Sequence, residues 1–267
     1  MIPKIIHYCW FGYNPLPELA QKCIASWKKH FPDYEIKEWN ESNYDVNKIL
    51  YTSEAYNAKK YAFVSDYARF DILYQYGGIY FDTDVEVIKS FENIIKTGSF
   101  MGFELTKNTS VEVNTGLGIG VGTGFGIVYQ ILEFYATLHF VNFDGSYNMK
   151  TVVEYVTEIL KKHGLKDEDR IQQIDDLTIY PTEYFSPKDF WTGVIKITEN
   201  THSIHHYDSS WAGKPMRFYT NVRNKSIKLF GYPLGKFWVM PILIAAIFIT
   251  DGFSGIRKKL RDVTQNR

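Results

Sequence analysis

An open α/β sheet covered by helices is what the sequence predicts, and three observations carry the prediction. Short apolar runs of strand type alternate with stretches of helical periodicity along the chain. A helical stretch over residues 61–76 contains no breaker, is stopped by Gly77-Gly78, and gives way at once to the strand-like Ile79-Tyr80-Phe81. The acidic Asp82-Thr83-Asp84 follows at that strand's carboxyl end, the edge where open α/β sheets receive their ligands.

The elements follow in order. Residues 4–10 form a short apolar run of the buried-strand type, and Gly12-Tyr13-Asn14-Pro15 breaks it before a helical stretch over 16–31. Residues 34–39 read as a second strand, and the polar stretch from 40 to 60 as loop with short helices. Beyond the acidic triplet, 85–88 and 99–104 read as strands. Residues 114–126 form a Gly-rich region with an apolar strand inside, and 126–140 and 149–163 are helical. Residues 177–187 are strand and loop, and 203–206 form a late strand leading into His205-His206-Tyr207-Asp208-Ser209-Ser210-Trp211. The alternation favours parallel neighbours in the sheet. This organisation places one domain over residues 1–230 and a tail of different composition over 231–267.

Composition removes some classes of function. Thirty basic and thirty acidic side chains cancel, so no global field exists to collect nucleic acid, and charge recognition has to be local. Aromatic residues make up 17% of the chain; most fill the core, and the remainder suit stacking on sugars or bases. Cys9 and Cys23 have neither disulfide-framework nor metal-ligand spacing, which fits a reducing compartment. The first residues run straight into a strand pattern without the regions of a signal peptide, so the expected location is the cytoplasm.

Two carboxylates at i and i+2, where the chain bends at a strand end, can reach one divalent cation that also grips two phosphates; hard oxygen donors suit Mn2+ or Mg2+. Asp-x-Asp also recurs in solvated surface loops. The run from Ala62 to Asp84, which includes Ser65-Asp66, Arg69 and Gly77-Gly78-Ile79-Tyr80-Phe81-Asp82-Thr83-Asp84, supplies the missing context and resembles the family 32 glycosyltransferases. These are relatives of the yeast α-mannosyltransferases and of bacterial capsular polysaccharide enzymes. The opening Ile2-Pro3-Lys4-Ile5-Ile6-His7-Tyr8-Cys9-Trp10-Phe11-Gly12 and the late Ile204-His205-His206 through Ser210-Trp211 resemble the same family in the same order. More distantly, the helix and strand resemble the glucosylating domains of large clostridial toxins.

The resemblance spans about residues 1–215 and implies a GT-A fold, a nucleotide-sugar donor and transfer with retention of anomeric configuration. It implies that Ser65, Asp66 and Arg69 line the donor sugar, that Tyr80 lies near the nucleotide, and that Asp82 and Asp84 hold ribose or sugar and metal. The spacing of Ser65, Asp66 and Arg69 allows one helix face to carry all three, and an ordinary intrahelical ion pair would use the same spacing. Trp10 is placed to pack against the base, with backbone groups around Phe11 reading its edge; a core Trp is the competing reading. Asn114 falls in the segment that the family places near donor sugar and acceptor. In the late motif His206 is a candidate metal ligand, Ser209 a hydroxyl donor and Trp211 an indole donor to diphosphate. The toxins carry a carboxylate where His206 stands. His205 is read as structural, and His7, inside a strand, as a satisfied buried histidine.

The function expected is transfer of a hexose from a UDP-sugar to a glycan or lipid-linked glycan in surface polysaccharide synthesis. Two other classes share part of this pattern. Apolar residues before Asp-x-Asp also open the haloacid-dehalogenase phosphohydrolase motif, with Asp175-Asp176 as a later acidic pair, but Val85-Glu86 stands where Gly-Thr is usual. A non-catalytic sugar-binding protein would leave the late motif without a role. Glycines at every second position from Gly116 to Gly126 lack the Lys-Ser/Thr ending of a phosphate loop. In the tail, fourteen uncharged residues over 237–250, interrupted by Pro241, precede Arg257, Lys258, Lys259 and Arg261, with Ile256, Leu260 and Val263 at helical spacing. That is the pattern of a helix lying in a membrane surface. A core helix with a solvated basic end has the same pattern.

Overall fold

The computed structural model describes residues 1–106, 110–190, 192–208, 214–231 and 234–249. The described chain forms two compact units, one of residues 1–187 with 196–206 and one of residues 188–195 with 207 onward. The division falls earlier than the expected one at 230, because the helix over 214–230 groups with the C-terminal residues.

The first unit is a mixed α/β sheet. Its strands are β1 (Ile5–Cys9), β2 (Glu35–Trp39), β3 (Gly78–Tyr80), β4 (Val85–Val87), β5 (Ser99–Leu105), β6 (Val111–Val113), β7 (Ile119–Val121), β8 (Gln172–Ile174), β9 (Leu177–Tyr180) and β10 (Ser203–His205). The main sheet runs β2-β1-β3-β7-β5-β9-β8, β6 pairs with β5 beside it, and β4 and β10 make a separate antiparallel pair. The pairs β1·β2, β1·β3 and β5·β9 are parallel, as the alternation predicts. β7 runs antiparallel to both β3 and β5. Among the described residues no helix lies between β5 and β7, and a chain that returns without a long crossover pairs in the antiparallel sense.

Helices cover both faces. On one side α1 (Glu18–His30) buries Ala20, Cys23, Ile24 and Trp27, the i, i+3, i+4, i+7 stripe of an amphipathic helix. Trp27 packs there with Ile6, Phe81, Phe91 and Phe100, and its indole N–H donates to the Val85 carbonyl at 2.7 Å, which ties α1 to the start of β4. On the other side α2 (Leu50–Asn57), α3 (Tyr61–Tyr76), α5 (Gly126–Ala136) and α6 (Val152–Lys162) pack Phe70, Ile131 and Leu160 against Met101 and Ile179 of the sheet. Ile79 points to the first core and Tyr80 to the second, the alternation a strand requires. The short α4 (Glu92–Lys96) and α7 (Thr182–Phe185) complete this unit. The helix expected over 126–140 stops at Ala136, and β6 and β8 are three-residue strands with a polar central residue, too short to show a period.

The junction of α3 and β3 depends on its two glycines. Gly77 has φ 61° and Gly78 φ 105°, and a Cβ at Gly78 would lie 2.6 Å from the Ile5 carbonyl oxygen. The chain therefore reverses from helix to strand with β3 flush against β1, which brings Asp82 to the same sheet edge as Trp10.

His7 lies fully buried beneath this junction. Its Nε2–H donates to the Gly77 carbonyl at 2.8 Å, and its Nδ1 accepts from the Trp39 indole at 3.1 Å. Both ring nitrogens are used in the neutral form, as expected for a satisfied core histidine. A second proton would have to displace the Trp39 donor. Burial lowers the pKa from 6.5 to about 4, against the pull of the Gly77 carbonyl. Because the folded value lies below the unfolded one, His7 leaves stability intact above about pH 6.5 and erodes it as pH falls towards about 4, by about 3 kcal/mol in full. Urea denaturation across that window should show the fall, and His7→Gln should flatten its slope; an unchanged slope in the variant would contradict the assignment.

The second unit is described through residue 249. Helix α8 (Lys214–Phe230) is followed by the short α9 (Leu234–Trp238) and by helical residues 240–249. Pro241 stands in the first turn of that last segment, where no backbone N–H is needed. Among the described residues no helix is long and apolar enough to cross a membrane. The basic stretch with Ile256, Leu260 and Val263 lies outside the described residues.

Candidate functional site

At the carboxyl edge of β1 and β3 the chain assembles a buried polar chain centred on Arg69. The guanidinium, 3% exposed, reaches four oxygens. Nη2 donates to Asp66 Oδ1 at 2.8 Å and lies 3.3 Å from Asp82 Oδ1; Nη1 donates to Thr115 Oγ1 at 3.3 Å; Nε donates to the Ser65 carbonyl at 3.2 Å. The helical spacing of Ser65, Asp66 and Arg69 does place them together, as expected. The Ser65 hydroxyl is spent on the Tyr61 carbonyl at 3.2 Å, so in this arrangement it points back along the helix.

Burial dominates the electrostatics. It raises the Asp66 carboxyl from 3.8 to about 7, although Arg69 pulls it down. Burial also works against the Arg69 charge, but Asp82, Tyr80 and Asp66 together outweigh it and hold the guanidinium more firmly protonated than usual. One fixed cation thus lies between two carboxylates, and Asp82 is the more open, with 31% of its side chain exposed against 12% for Asp66.

Tyr80, expected near a nucleotide, lies buried beneath the DXD turn. Its ring is buried in the second core with the Arg69 guanidinium 4.9 Å above it, and its hydroxyl donates to Asp82 Oδ1 at 3.1 Å. Strand alternation explains the placement, because Tyr80, the last residue of β3, faces the core and Asp82 follows two residues later. Trp10 is half-buried at the end of β1, with its indole N–H donating to the Asn14 carbonyl at 2.6 Å. Phe11 is buried against Tyr44.

The histidine beside Asp84 is His205. Its Nε2 lies 3.1 Å from Asp84 Oδ1, whereas His206 Nε2 pairs with Glu86 Oε2 at 2.8 Å. His206, expected as the ligand beside the aspartates, donates its backbone N–H to the Asp84 carbonyl at 2.9 Å while its ring reaches Glu86. The ladder puts His205 opposite Val85, and regular alternation would then turn His206 towards Asp84. Asp84 also belongs to the Asp82–Val85 turn, closed by the Val85 N–H to Asp82 carbonyl bond of 3.1 Å. Burial disfavours the charged imidazole of His205, but Asp84 more than compensates and raises its pKa. Among the described residues no three His, Cys, Asp or Glu side chains converge as a group able to hold a metal ion. Ser209 and Trp211 lie outside the described residues.

Residues 17–101, which contain Ser65, Asp66, Arg69, Asp82 and Asp84, match the family described as "Glycosyltransferase sugar-binding region containing DXD motif". That segment is similar to the sugar-binding region of DXD glycosyltransferases. The chain is 29% identical over 111 residues to inositol phosphoceramide mannosyltransferase 1 of Schizosaccharomyces pombe, covering 38% of this chain and 33% of that protein. It therefore spans about a third of the length of that curated relative. An uncharacterized glycosyltransferase of Acanthamoeba polyphaga mimivirus is 27% identical over 200 residues, 70% of this chain and 76% of the viral one. Among solved structures, the PaToxG glycosyltransferase aligns over 60% of this chain and 69% of its own with a TM-score of 0.45 and 21% identity.

With the DXD turn located, the residues that hold it become legible, and sequence reasoning missed two of them. The Asp82 N–H donates to the Gly116 carbonyl at 2.9 Å, the Gly116 N–H to Asn114 Oδ1 at 2.7 Å, and Asn114 Nδ2 to Glu104 Oε2 at 2.8 Å. Asn114, buried at 7% exposure, thus belongs to the DXD site as a brace of the loop. A Cβ on Gly116 would lie 1.9 Å from Asp82 Oδ2, so only glycine lets the carboxylate fold back over the loop. The alternating glycine run contains one glycine that the DXD turn requires. The only sequence signal was its proximity to Asn114.

Gly116→Ala should therefore displace Asp82 with little effect on the cores. We expect transfer activity to fall about 100-fold, as for a misplacement of about 1 Å, while the thermal midpoint shifts only modestly. Unchanged activity at normal stability would contradict the placement of Asp82. The phosphohydrolase reading finds no assembled site: Asp175-Asp176 lie in the β8–β9 turn, with Asp175 paired to His163, and β7 and β5 separate β3 from β9.

Proposed function

We propose that the chain transfers a hexosyl group from a nucleoside diphosphate sugar to a hydroxyl of a glycan or lipid-linked glycan in the cytoplasm, with retention at the anomeric carbon. The observation that carries this reading is the coupling of the DXD turn to a buried Asp66–Arg69–Asp82 chain, braced on the other side by Asn114 and Gly116. Such a site presents fixed carboxylates and one fixed cation at a sheet edge, where a polyhydroxylated, charged donor can be held without reorganisation.

The residues present fit a hard divalent cation, Mn2+ or Mg2+. Asp82 and Asp84 supply oxygen donors on one turn, and ions of this kind complete their shells with water and substrate phosphates. When bound, such an ion would neutralise charge on the departing diphosphate. The protein's own part is positional. Arg69 and Tyr80 hold Asp82, His205 holds Asp84, and Asp66 stays buried against Arg69 where it can meet a sugar hydroxyl. In the reaction the bond from anomeric carbon to diphosphate oxygen breaks, the bond to the acceptor oxygen forms on the same face, and the acceptor proton passes to the departing phosphate. Trp10 at the neighbouring strand end offers a ring to the base.

A UDP-hexose used in surface polysaccharide synthesis is the favoured donor on the resemblance to capsular enzymes. The mannosyltransferase name of the fission-yeast relative makes a mannosyl donor the competitor. A panel of nucleotide sugars screened for thermal stabilisation with and without Mn2+ tests the proposal. One donor should raise the midpoint only when metal is present. No stabilisation by any donor, or release of phosphate from simple phosphate esters, would overturn it.

A further inference from the structure

The C-terminal unit carries a surface that the transfer reaction does not use. Its helices are apolar on two sides. The inner side packs within the unit: Tyr219, Val239 and Ala246 are buried together, with Val222, Ile242 and Leu243 against them. Gly235 sits so close to α8 that a Cβ would lie 2.5 Å from the Ile227 backbone. The outer side is apolar as well. Leu234, Phe237, Trp238 and Ile244 are 60%, 71%, 66% and 52% exposed, and Pro241 and Ala245 between them are exposed too. These positions recur three and four residues apart, so they form one stripe along the helices. Among the described residues ten large apolar side chains are exposed between Phe218 and Ile249, and apolar exposure of this kind marks an interaction surface.

The charge of the same region selects what covers it. Residues 214–267 contain eleven basic and two acidic side chains, although the whole chain is neutral. Helix α8 has five basic residues and no acidic one. A protein partner matched to this surface would need a strongly acidic, apolar complement. A bilayer interface with anionic headgroups offers both properties at once, receiving Phe, Trp and Leu at the headgroup boundary and Lys and Arg above it. No described helix is long and apolar enough to cross. We infer that the C-terminal unit lies on an anionic membrane surface, inserting the Leu234–Phe237–Trp238–Ile244 stripe at the headgroup boundary. This inference is independent of the glycosyl-transfer reading.

The test uses the full chain with vesicles of phosphatidylcholine alone or of phosphatidylcholine with phosphatidylglycerol. The chain should co-sediment with the anionic vesicles, more weakly as salt rises, and not with the neutral ones. Phe237→Ser with Trp238→Ser, and separately Lys258→Glu with Lys259→Glu, should each weaken partitioning by about tenfold or more. Thermal midpoints and nucleotide-sugar stabilisation should stay unchanged in both. Three results would overturn the inference: equal behaviour on the two vesicle types, wild-type partitioning of both variants, or a concentration-dependent dimer abolished by the Phe237 and Trp238 changes without any vesicle binding. Loss of nucleotide-sugar stabilisation in the wild-type chain would instead count against the transfer reading alone.

Discussion

Replacing Arg69 with methionine is expected to cost both stability and activity, the largest combined loss of any single change in the protein. The guanidinium bridges Asp66, Asp82, Thr115 and the Ser65 carbonyl, and methionine fills the stem while leaving two neighbouring carboxylates without their cation. Breaking a buried ion pair from one side costs about 3–5 kcal/mol, a large share of the about 5–15 kcal/mol that holds a domain folded. The urea midpoint should fall accordingly and transfer should be undetectable. Arg69→Lys separates the two effects. A lysine restores a charge but cannot reach four oxygens in fixed directions, so stability should recover in part while activity stays low. A methionine variant of near wild-type midpoint would contradict the bridging role.

Asp84→Ala is the second. Here the fold should survive, because Asp84 sits in a turn where its carboxylate pairs with the His205 side chain, while activity should fall about 10³-fold or more, the scale of a lost group that stabilises developing charge. The pairing of Asp84 with His205 sharpens the comparison. His205→Ala removes the partner of Asp84 and should impair transfer more than His206→Ala, which removes a contact with Glu86. Steady-state kinetics on the three variants, with thermal midpoints as a control for folding, distinguish this order from the reverse one that the sequence pattern suggested.

How much of this was legible beforehand follows from the kind of interaction involved. Local periodicity and turn chemistry identified α3 and the glycine stop, since a breaker-free helical run ending in Gly77-Gly78 needs no tertiary information. The joining of Ser65, Asp66 and Arg69 on one helix face was equally local. What stayed hidden depended on distant backbone meeting side chains. Gly116 lies 34 positions from Asp82, and its requirement appears only when the loop folds over the carboxylate. The pairing of His205 with Asp84 was hidden for a related reason: it joins side chains 121 positions apart across the β4–β10 pair. The antiparallel β7 followed from a missing crossover helix, and β6 and β8 are too short to carry a period. In the C-terminal unit composition signalled the apolar run, whereas exposure distinguished a surface stripe from a core helix.

The central claim is that the DXD turn, held by Arg69, Gly116 and His205, is a site for a metal-bound nucleoside diphosphate. Calorimetric titration of the wild-type chain and of Asp84→Ala with UDP, in Mn2+ and in chelator, tests it most directly. The account predicts binding in Mn2+, weakened by about tenfold or more in chelator and equally weak in Asp84→Ala under both conditions. Affinity unaffected by chelation, or wild-type affinity in Asp84→Ala, would contradict it.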